Sequence, residues 1–178
     1  MGDIYFAGMD SQVEDSWIVI LNDKGETVEL KQLPLIPVKY KKATAVNIVA
    51  TIDWLRTYQK LKFMAEAIYS FNQGTKGAMT FGSAVNLIAQ IDNESHIALA
   101  TAKPQEWKAK WGLTSNKNLS IALAKNMGLV YPPQGLSKKR GGAIAESSNL
   151  AESFLLAHYV YQAYLPILQK QQTLQSRA

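Results

Sequence analysis

The chain has 178 residues, 47% of them hydrophobic, and its 19 Lys and Arg against 14 Asp and Glu give a formal net charge of +5. This length and composition predict one domain over residues 1–178, and the positive charge favours a polyanionic partner such as nucleic acid. The sequence has no cysteine and only two histidines, which excludes disulfides, thiolate zinc sites, cysteine nucleophiles and histidine-rich metal clusters.

No secretory signal and no apolar run of the ~18 residues that a membrane span requires is visible in the sequence. We therefore expect a cytoplasmic protein that does not interact with membranes.

Three strands are predicted at the start of the chain. Apolar runs at 4–9 and 17–21 and the alternating segment 26–30 have strand patterns, and the polar residues 22–25 form a turn signal between the last two. We expect an antiparallel meander whose first strand is central. Asp10 then lies at the C-terminal tip of that strand.

The next segment is predicted to hold a loop, a helix and a strand. Pro34 and Pro37 indicate a loop, and the apolar spacing over 43–60 is typical of a helix. A strand at 61–65 follows and leads, like the first strand, into a carboxylate, here Glu66.

The second half of the chain is predicted to alternate helices and strands. In chain order we expect a loop at 70–76, a helix at 78–91, a strand at 96–102, a short helix at 104–107, a helix at 116–127, a flexible basic loop at 132–142, a long helix at 145–170 and a disordered tail from about 171. Gly82 could allow close helix–sheet packing, Gly128 is a plausible C-cap, and Pro166 could bend the last helix. This order predicts an α/β fold with a mixed five-stranded sheet flanked by helices.

Acidic residues stand where three of these elements begin or end. If the strands that lead into Asp10 and Glu66 are neighbours, both carboxylates converge at one sheet edge. Glu152 lies in the first turns of the last helix, on the same face as Asn149. Clustered carboxylates need a counter-cation, and oxygen ligands suit Mg²⁺ or Mn²⁺. Acidic residues at strand ends can also be solvated or cap a helix, so the pattern alone leaves both interpretations open.

Several segments between about residues 4 and 160 occur in an order and with a spacing that resemble those of a known protein family. They are Gly8-Met9-Asp10-Ser11, Ala65-Glu66, Phe71-Asn72-Gln73-Gly74, Met79-Thr80-Phe81-Gly82, Pro104-Gln105-Glu106-Trp107-Lys108, Trp111-Gly112-Leu113 with Lys117, and Asn149-Leu150-Ala151-Glu152-Ser153. Together they resemble RuvC-type Holliday junction resolvases of the RNase H-like superfamily, and the Pro-x-x-Trp-Lys segment resembles the phage-type members.

The resemblance implies an RNase H-like fold and a homodimeric, structure-selective endodeoxyribonuclease. Such an enzyme resolves four-way and other branched DNA junctions by two-metal phosphodiester hydrolysis with Mg²⁺, for which Mn²⁺ can substitute. The protein would act in the cytoplasm of a bacterial or phage-infected host cell. Two other interpretations remain open: a catalytically inactive junction-binding protein, and an RNase H-like nuclease that acts on RNA–DNA hybrids.

Carried over to this sequence, the resemblance implies that Asp10, Glu66, Asn149 and Glu152 are catalytic and metal-binding. This sequence departs from the family's pattern at position 149, because the family usually has a carboxylate about one turn before the last acidic residue. Ser148 and Asn149 occupy that turn here, and Glu146 lies off the helical face. Either the natural site is degenerate, or an aspartate was replaced to trap an inactive form.

Basic and aromatic residues are the candidate DNA contacts. The set is Tyr69, Phe71, Gln73, Lys76, Lys108, Lys117, Lys138, Lys139 and Arg140, with Lys39, Lys41, Lys42, Lys103 and Lys110 as further lysines. Any single lysine can equally be solvated surface, and Tyr69 and Phe71 could stack on unpaired bases or anchor their loop.

Other side chains are predicted to be structural or to form the dimer. His158 and Trp107 are expected to have structural roles. An apolar stripe of Met79, Val85 and Ile88 could form the homodimer contact or face the sheet.

Overall fold

The computed structural model of the chain describes residues 3–10, 15–38, 43–67, 75–138 and 144–175. The strands are β1 Tyr5–Asp10, β2 Trp17–Leu21, β3 Thr27–Gln32, β4 Leu35–Val38, β5 Ala43–Val46, β6 Leu61–Glu66, β7 Ile97–Ala102, β8 Leu136–Lys138 and β9 Ile144–Glu146. The helices are α1 Ile48–Leu55, α2 Thr75–Asp92, α3 Pro104–Lys110, α4 Lys117–Asn126 and α5 Ser148–Gln175, with a 3-10 turn at Pro133–Gly135. None of the helices in these ranges is long and apolar enough to cross a membrane.

The main sheet has five strands in the order β3-β2-β1-β6-β7. Strands β1, β2 and β3 form an antiparallel meander, whereas β6 and β7 run parallel to β1. Because Met9 pairs with Ala65, the ends of β1 and β6 that carry Asp10 and Glu66 lie side by side. The predicted mixed five-stranded sheet with a central first strand is confirmed.

Two hydrophobic cores cover the two faces of this sheet. On one face, Trp17, Val19 and Leu21 pack with apolar residues of α5. On the other face, Ile18 and Ile20 pack with apolar residues of α1 and α2. The alternation along β2 follows from the two-residue period of a strand, and a strand buried on both faces is apolar at every position.

Helix α5 lies directly on the backbone of β1 at Gly8. A Cβ added to Gly8 would be 2.2 Å from both the Ser153 carbonyl oxygen and the Ala157 nitrogen, so only glycine allows this approach. The close packing expected at Gly82 is wrong, because an added Cβ there meets nothing within 4 Å. Gly128, predicted as the C-cap of the helix over 116–127, follows the cap residue Met127 and has a positive φ of 100°.

Two predictions for residues 34–60 are wrong. The segment with Pro37 is strand β4, paired antiparallel with β5, and a two-stranded sheet tolerates a proline because an edge position needs no backbone donor. The single helix predicted over 43–60 is divided into β5 and α1. The division falls at Asn47, whose side chain accepts a hydrogen bond from the Ala50 N–H and caps α1.

The C-terminal predictions need smaller corrections. The expected loop over 132–142 contains the 3-10 turn and β8, which pairs antiparallel with β9. Helix α5 begins at Ser148 rather than 145 because residues 144–146 pair as a strand. The tail predicted to be disordered from about 171 is helical through Gln175, in a stretch rich in the good helix formers Leu, Gln and Lys.

Candidate active site

Asp10 lies at the C-terminal end of β1 and is 1% exposed. Its backbone N–H donates to Ser153 Oγ at 2.9 Å, and Ser153 Oγ donates in turn to the carbonyl of Trp17 at 2.9 Å. One buried hydroxyl of α5 therefore joins both strands of the β1–β2 pair. Since Ser153 follows Glu152, this contact fixes the backbone of Asp10 relative to Glu152.

Glu66 ends the neighbouring strand β6 and is held from α3. The indole N–H of Trp107 donates to Glu66 Oε2 at 3.0 Å, and Trp107 is completely buried. Helix α3 starts at Pro104, and Glu106 accepts a hydrogen bond from the Lys103 N–H at 3.1 Å. This first turn places Trp107 at a defined position opposite the end of β6.

Glu152 is buried in α5 and surrounded by donors. Lys108 Nζ and Ser120 Oγ lie 2.9 and 3.1 Å from Glu152 Oε1, and Lys117 Nζ lies 3.5 Å from Oε2. Two elements, α3 and α4, thus donate to one carboxylate of α5. Such dense hydrogen bonding offsets the cost of burying its charge.

Lys117 occupies the centre of the cluster. Its ammonium group lies 3.1 Å from Asn149 Oδ1, 3.5 Å from Glu152 Oε2 and 3.8 Å from Asp10 Oδ2. Asn149 is itself buried, one turn before Glu152. The structure therefore brings Asp10, Asn149 and Glu152 together around Lys117, and Glu66, the fourth residue selected from the sequence, lies at the adjacent strand end.

The cluster carries an excess of negative potential. Burial, and then repulsion by Glu66, raises the pKa of Asp10 to about 8, although Lys117 acts in the opposite direction. Burial also raises the pKa of Glu66, and the hydrogen bond from Trp107 opposes that rise. Asp10 Oδ2 is buried and has no hydrogen-bond partner among the described residues. A cation beside this oxygen would stabilise the ionised form.

The donor set suits a hard divalent cation. The side chains of Asp10, Glu66, Glu152 and Asn149 all offer oxygen, the ligand atom that Mg²⁺ and Mn²⁺ prefer. In the described part of the chain, no three acidic or histidine side chains surround a common point that could hold a metal ion. The ammonium groups of Lys108 and Lys117 lie between the carboxylates instead, and they supply the counter-charge.

No protein-family model and no curated protein sequence matches this chain. Among solved structures, that of T. thermophilus RuvC in complex with a Holliday junction substrate is similar over 90% of this chain and 96% of that chain, with a TM-score of 0.62 and 14% identity. The chain has the RNase H-like fold of RuvC. A second structure, of Thermus thermophilus RuvC, covers 91% of this chain and 96% of its own, with a TM-score of 0.47 and 12% identity.

Within this RuvC-like fold, the predicted DNA contacts fall into four groups. Lys103 and Lys110 are exposed at the two ends of α3. Lys108 and Lys117 lie in the carboxylate cluster. Lys76 lies in α2 and Lys138 at the end of β8, and the positions of their side chains are not described. Those outside the described residues are Tyr69, Phe71, Gln73, Lys139 and Arg140, together with Lys39, Lys41 and Lys42.

The site roles of Ser153, Ser120 and Trp107 were not predicted from the sequence. A serine in the middle of an apolar helical stretch could have indicated Ser153, since a buried hydroxyl needs partners. Trp107 is a core residue, as expected, but its indole N–H also contacts Glu66. Glu146 lies on strand β9, and its Oε1 is 2.7 Å from Lys125 Nζ. This position agrees with the prediction that Glu146 lies off the helical face that carries Glu152.

Proposed function

We propose that this chain is a metal-dependent, structure-selective endodeoxyribonuclease that cuts four-way and branched DNA junctions. The observation that carries the proposal is the buried carboxylate cluster at the ends of the two central parallel strands. The RuvC-like fold supports it, because RuvC with that fold has been solved in complex with a Holliday junction substrate. The nuclease domain would span residues 1–178 and belong to the phage-type RuvC family.

Asp10, Glu66 and Glu152 would hold Mg²⁺, and Asn149 would contribute its amide oxygen. Bound divalent ions would supply Lewis-acid activation of a water and stabilisation of the leaving oxygen of the phosphodiester. Among the chain's own residues, Ser153 would hold the Asp10 backbone in place, and burial would exclude bulk water from the carboxylates of Asp10 and Glu152.

The two lysines of the cluster would act differently on DNA. The side chain of Lys117 is 39% exposed, so it can reach a phosphate oxygen while it remains beside Asn149. The side chain of Lys108 is 14% exposed and paired with Glu152, so it serves chiefly to neutralise that buried charge. A phosphate at the rim would therefore be positioned by Lys117.

We further propose that the protein acts in the cytoplasm as a homodimer. A four-way junction has two symmetric strands to cut, so a two-fold enzyme matches it. On α2, Val85 is 42% exposed and available to a partner, whereas Ile88 packs against the core beneath the sheet. Light scattering of the complex with junction DNA should give the mass of two chains, and a mass of one chain would contradict the dimer.

A catalytically inactive junction-binding protein is the second candidate. Asn149 favours it, because this side chain supplies no negative charge where it contacts Lys117 at 3.1 Å. Such a protein would retain the phosphate contacts and lack the charge needed to hold two divalent ions. Binding without cleavage at any Mg²⁺ or Mn²⁺ concentration is its distinguishing behaviour.

The test compares a synthetic four-way junction, a matched duplex and an RNA–DNA hybrid, each with and without Mg²⁺ or Mn²⁺. We expect metal-dependent nicks in the junction only, abolished by Asp10→Asn and Glu152→Gln. Glu146→Gln is the matched control, since Glu146 pairs with Lys125 away from the cluster and its loss should leave cleavage unchanged. Cleavage of the hybrid alone would assign a different nuclease activity, and uncut but bound junction would assign the inactive binding protein.

A further inference from the structure

The indole of Trp107 contacts the Glu66 carboxylate. Its ring is completely buried in the core between the sheet and α5, and its N–H points to Glu66 Oε2 at 3.0 Å. A ring packed on all sides cannot turn away, so the direction of the N–H is fixed by the core. A fixed donor restricts the orientation of the carboxylate that accepts from it.

An indole donor differs chemically from the lysines of the same cluster. Lys108 and Lys117 neutralise the carboxylates they contact, so they compete with any other cation for that charge. The indole N–H carries no net charge, and Glu66 keeps its full charge when it accepts the bond. Trp107 can therefore orient Glu66 without placing a competing positive charge beside it.

Trp107 and Lys108 are consecutive residues of α3 that reach two different carboxylates. Trp107 contacts Glu66 at the end of β6, while Lys108 contacts Glu152 in α5 at 2.9 Å. One short helix thus spans the two sides of the cluster. Helix α3 therefore contacts both carboxylates, one on β6 and one on α5.

We propose that Trp107 is a positioning residue that orients the Glu66 carboxylate for a divalent metal ion through its indole N–H. This inference rests on the proposed function, because it assumes that the cluster binds Mg²⁺. Partners that orient metal ligands typically contribute 10–100-fold to metal affinity. We therefore expect the loss of this one hydrogen bond to weaken Mg²⁺ binding by about tenfold.

The experiment measures Mg²⁺ affinity of the full chain by calorimetry for the wild type, Trp107→Phe and Trp54→Phe. Trp54 is the matched control, because its indole N–H also donates to a carboxylate, that of Glu29 at 3.1 Å, outside the cluster. A third protein carries benzothienylalanine at position 107, in which sulfur replaces the indole N–H and the shape is kept. It separates the hydrogen bond from packing if Trp107→Phe folds poorly.

A second readout follows the indole N–H resonances of the four tryptophans of ¹⁵N-labelled protein during a Mg²⁺ titration. We expect the Trp107 signal to shift with the same midpoint as the calorimetric heat, and the Trp54 signal to stay unchanged. Equal affinity of the wild type and the benzothienyl protein, or an unmoved Trp107 signal at saturating Mg²⁺, would overturn the inference alone. No heat of binding for the wild type would instead overturn the proposed function, and the inference with it.

Discussion

Replacing Gly8 with alanine tests how the fold places the site. The new Cβ would stand 2.2 Å from the Ser153 carbonyl oxygen and the Ala157 nitrogen, whereas ordinary contact begins at 3.4 Å. Both obstacles are backbone atoms of α5, so no side-chain rotation relieves the clash. The helix must retreat from β1 by about 1 Å, a displacement of the size that misplaces catalytic groups.

The expected cost has two components. Overpacking of a well-packed core typically costs 1–3 kcal/mol, and the rigid backbone neighbours place Gly8→Ala near the upper end, at about 3 kcal/mol. The retreat also lengthens the 2.9 Å bond from the Asp10 N–H to Ser153 Oγ and moves Glu152 away from Asp10. A 1 Å misplacement can reduce the rate of the chemical step by about 100-fold.

Urea denaturation gives the stability change, and cleavage of a four-way junction gives the rate change. The control is Gly82→Ala, because nothing lies within 4 Å of its added Cβ and alanine is favoured over glycine inside a helix by up to about 1 kcal/mol. We expect Gly82→Ala to be neutral or stabilising. If the free energy of unfolding of Gly8→Ala lies within about 0.5 kcal/mol of the wild-type value, α5 does not approach β1 as closely as described, and the expected clash is refuted.

Three further predictions concern single side chains. Asn149→Asp should raise the rate of Mg²⁺-dependent junction cleavage by at least about 100-fold, because the added carboxylate lies where the leaving oxygen would be stabilised. The affinity for junction DNA in a gel shift should change little. Equal cleavage rates of the wild type and Asn149→Asp would exclude position 149 as a ligand. Lys117→Ala should reduce the salt dependence of junction binding by about one unit of slope, and an unchanged slope would move the phosphate path elsewhere. Burial lowers the pKa of His158 from 6.5 to about 4, so stability present above pH 6.5 is lost as the pH falls through 4, by up to about 3 kcal/mol. Urea titrations of the wild type and His158→Gln at a series of pH values give the free energy of unfolding of each protein. If the two free energies change with pH in the same way, the prediction is contradicted.

The sheet was predictable because its strands carry their signal locally. Runs of apolar residues buried on both faces identify β1 and β2, and the two strands that lead into Asp10 and Glu66 prove to be neighbours. The predictions for the segments that form β4 and β5 were wrong for a different reason. Pro37 is a local loop signal, and only the pairing of the two segments makes it part of a strand.

The positions of the acidic residues were predictable, but the hydrogen bonds that hold them were not. Asp10 and Ser153 are 143 residues apart, and Glu66 and Trp107 are 41 apart, so no local pattern links either pair. Both pairs form because α3 and α5 pack on the same face of the sheet. Contacts of this kind depend on tertiary packing, which periodicity does not encode.

The charge balance of the cluster depends on the residue at position 149. Three carboxylates, Asp10, Glu66 and Glu152, meet two ammonium groups, so the formal sum is one negative charge. An aspartate at position 149 would make it two, and the desolvation that already raises the pKa of Asp10 would act on a fourth buried acid. Asparagine keeps an oxygen 3.1 Å from Lys117 and avoids that cost. If the cluster binds divalent ions as proposed, asparagine in place of aspartate would also lower the attraction for a second ion, so the stability of the buried charges and the affinity for metal would be opposed at this one residue.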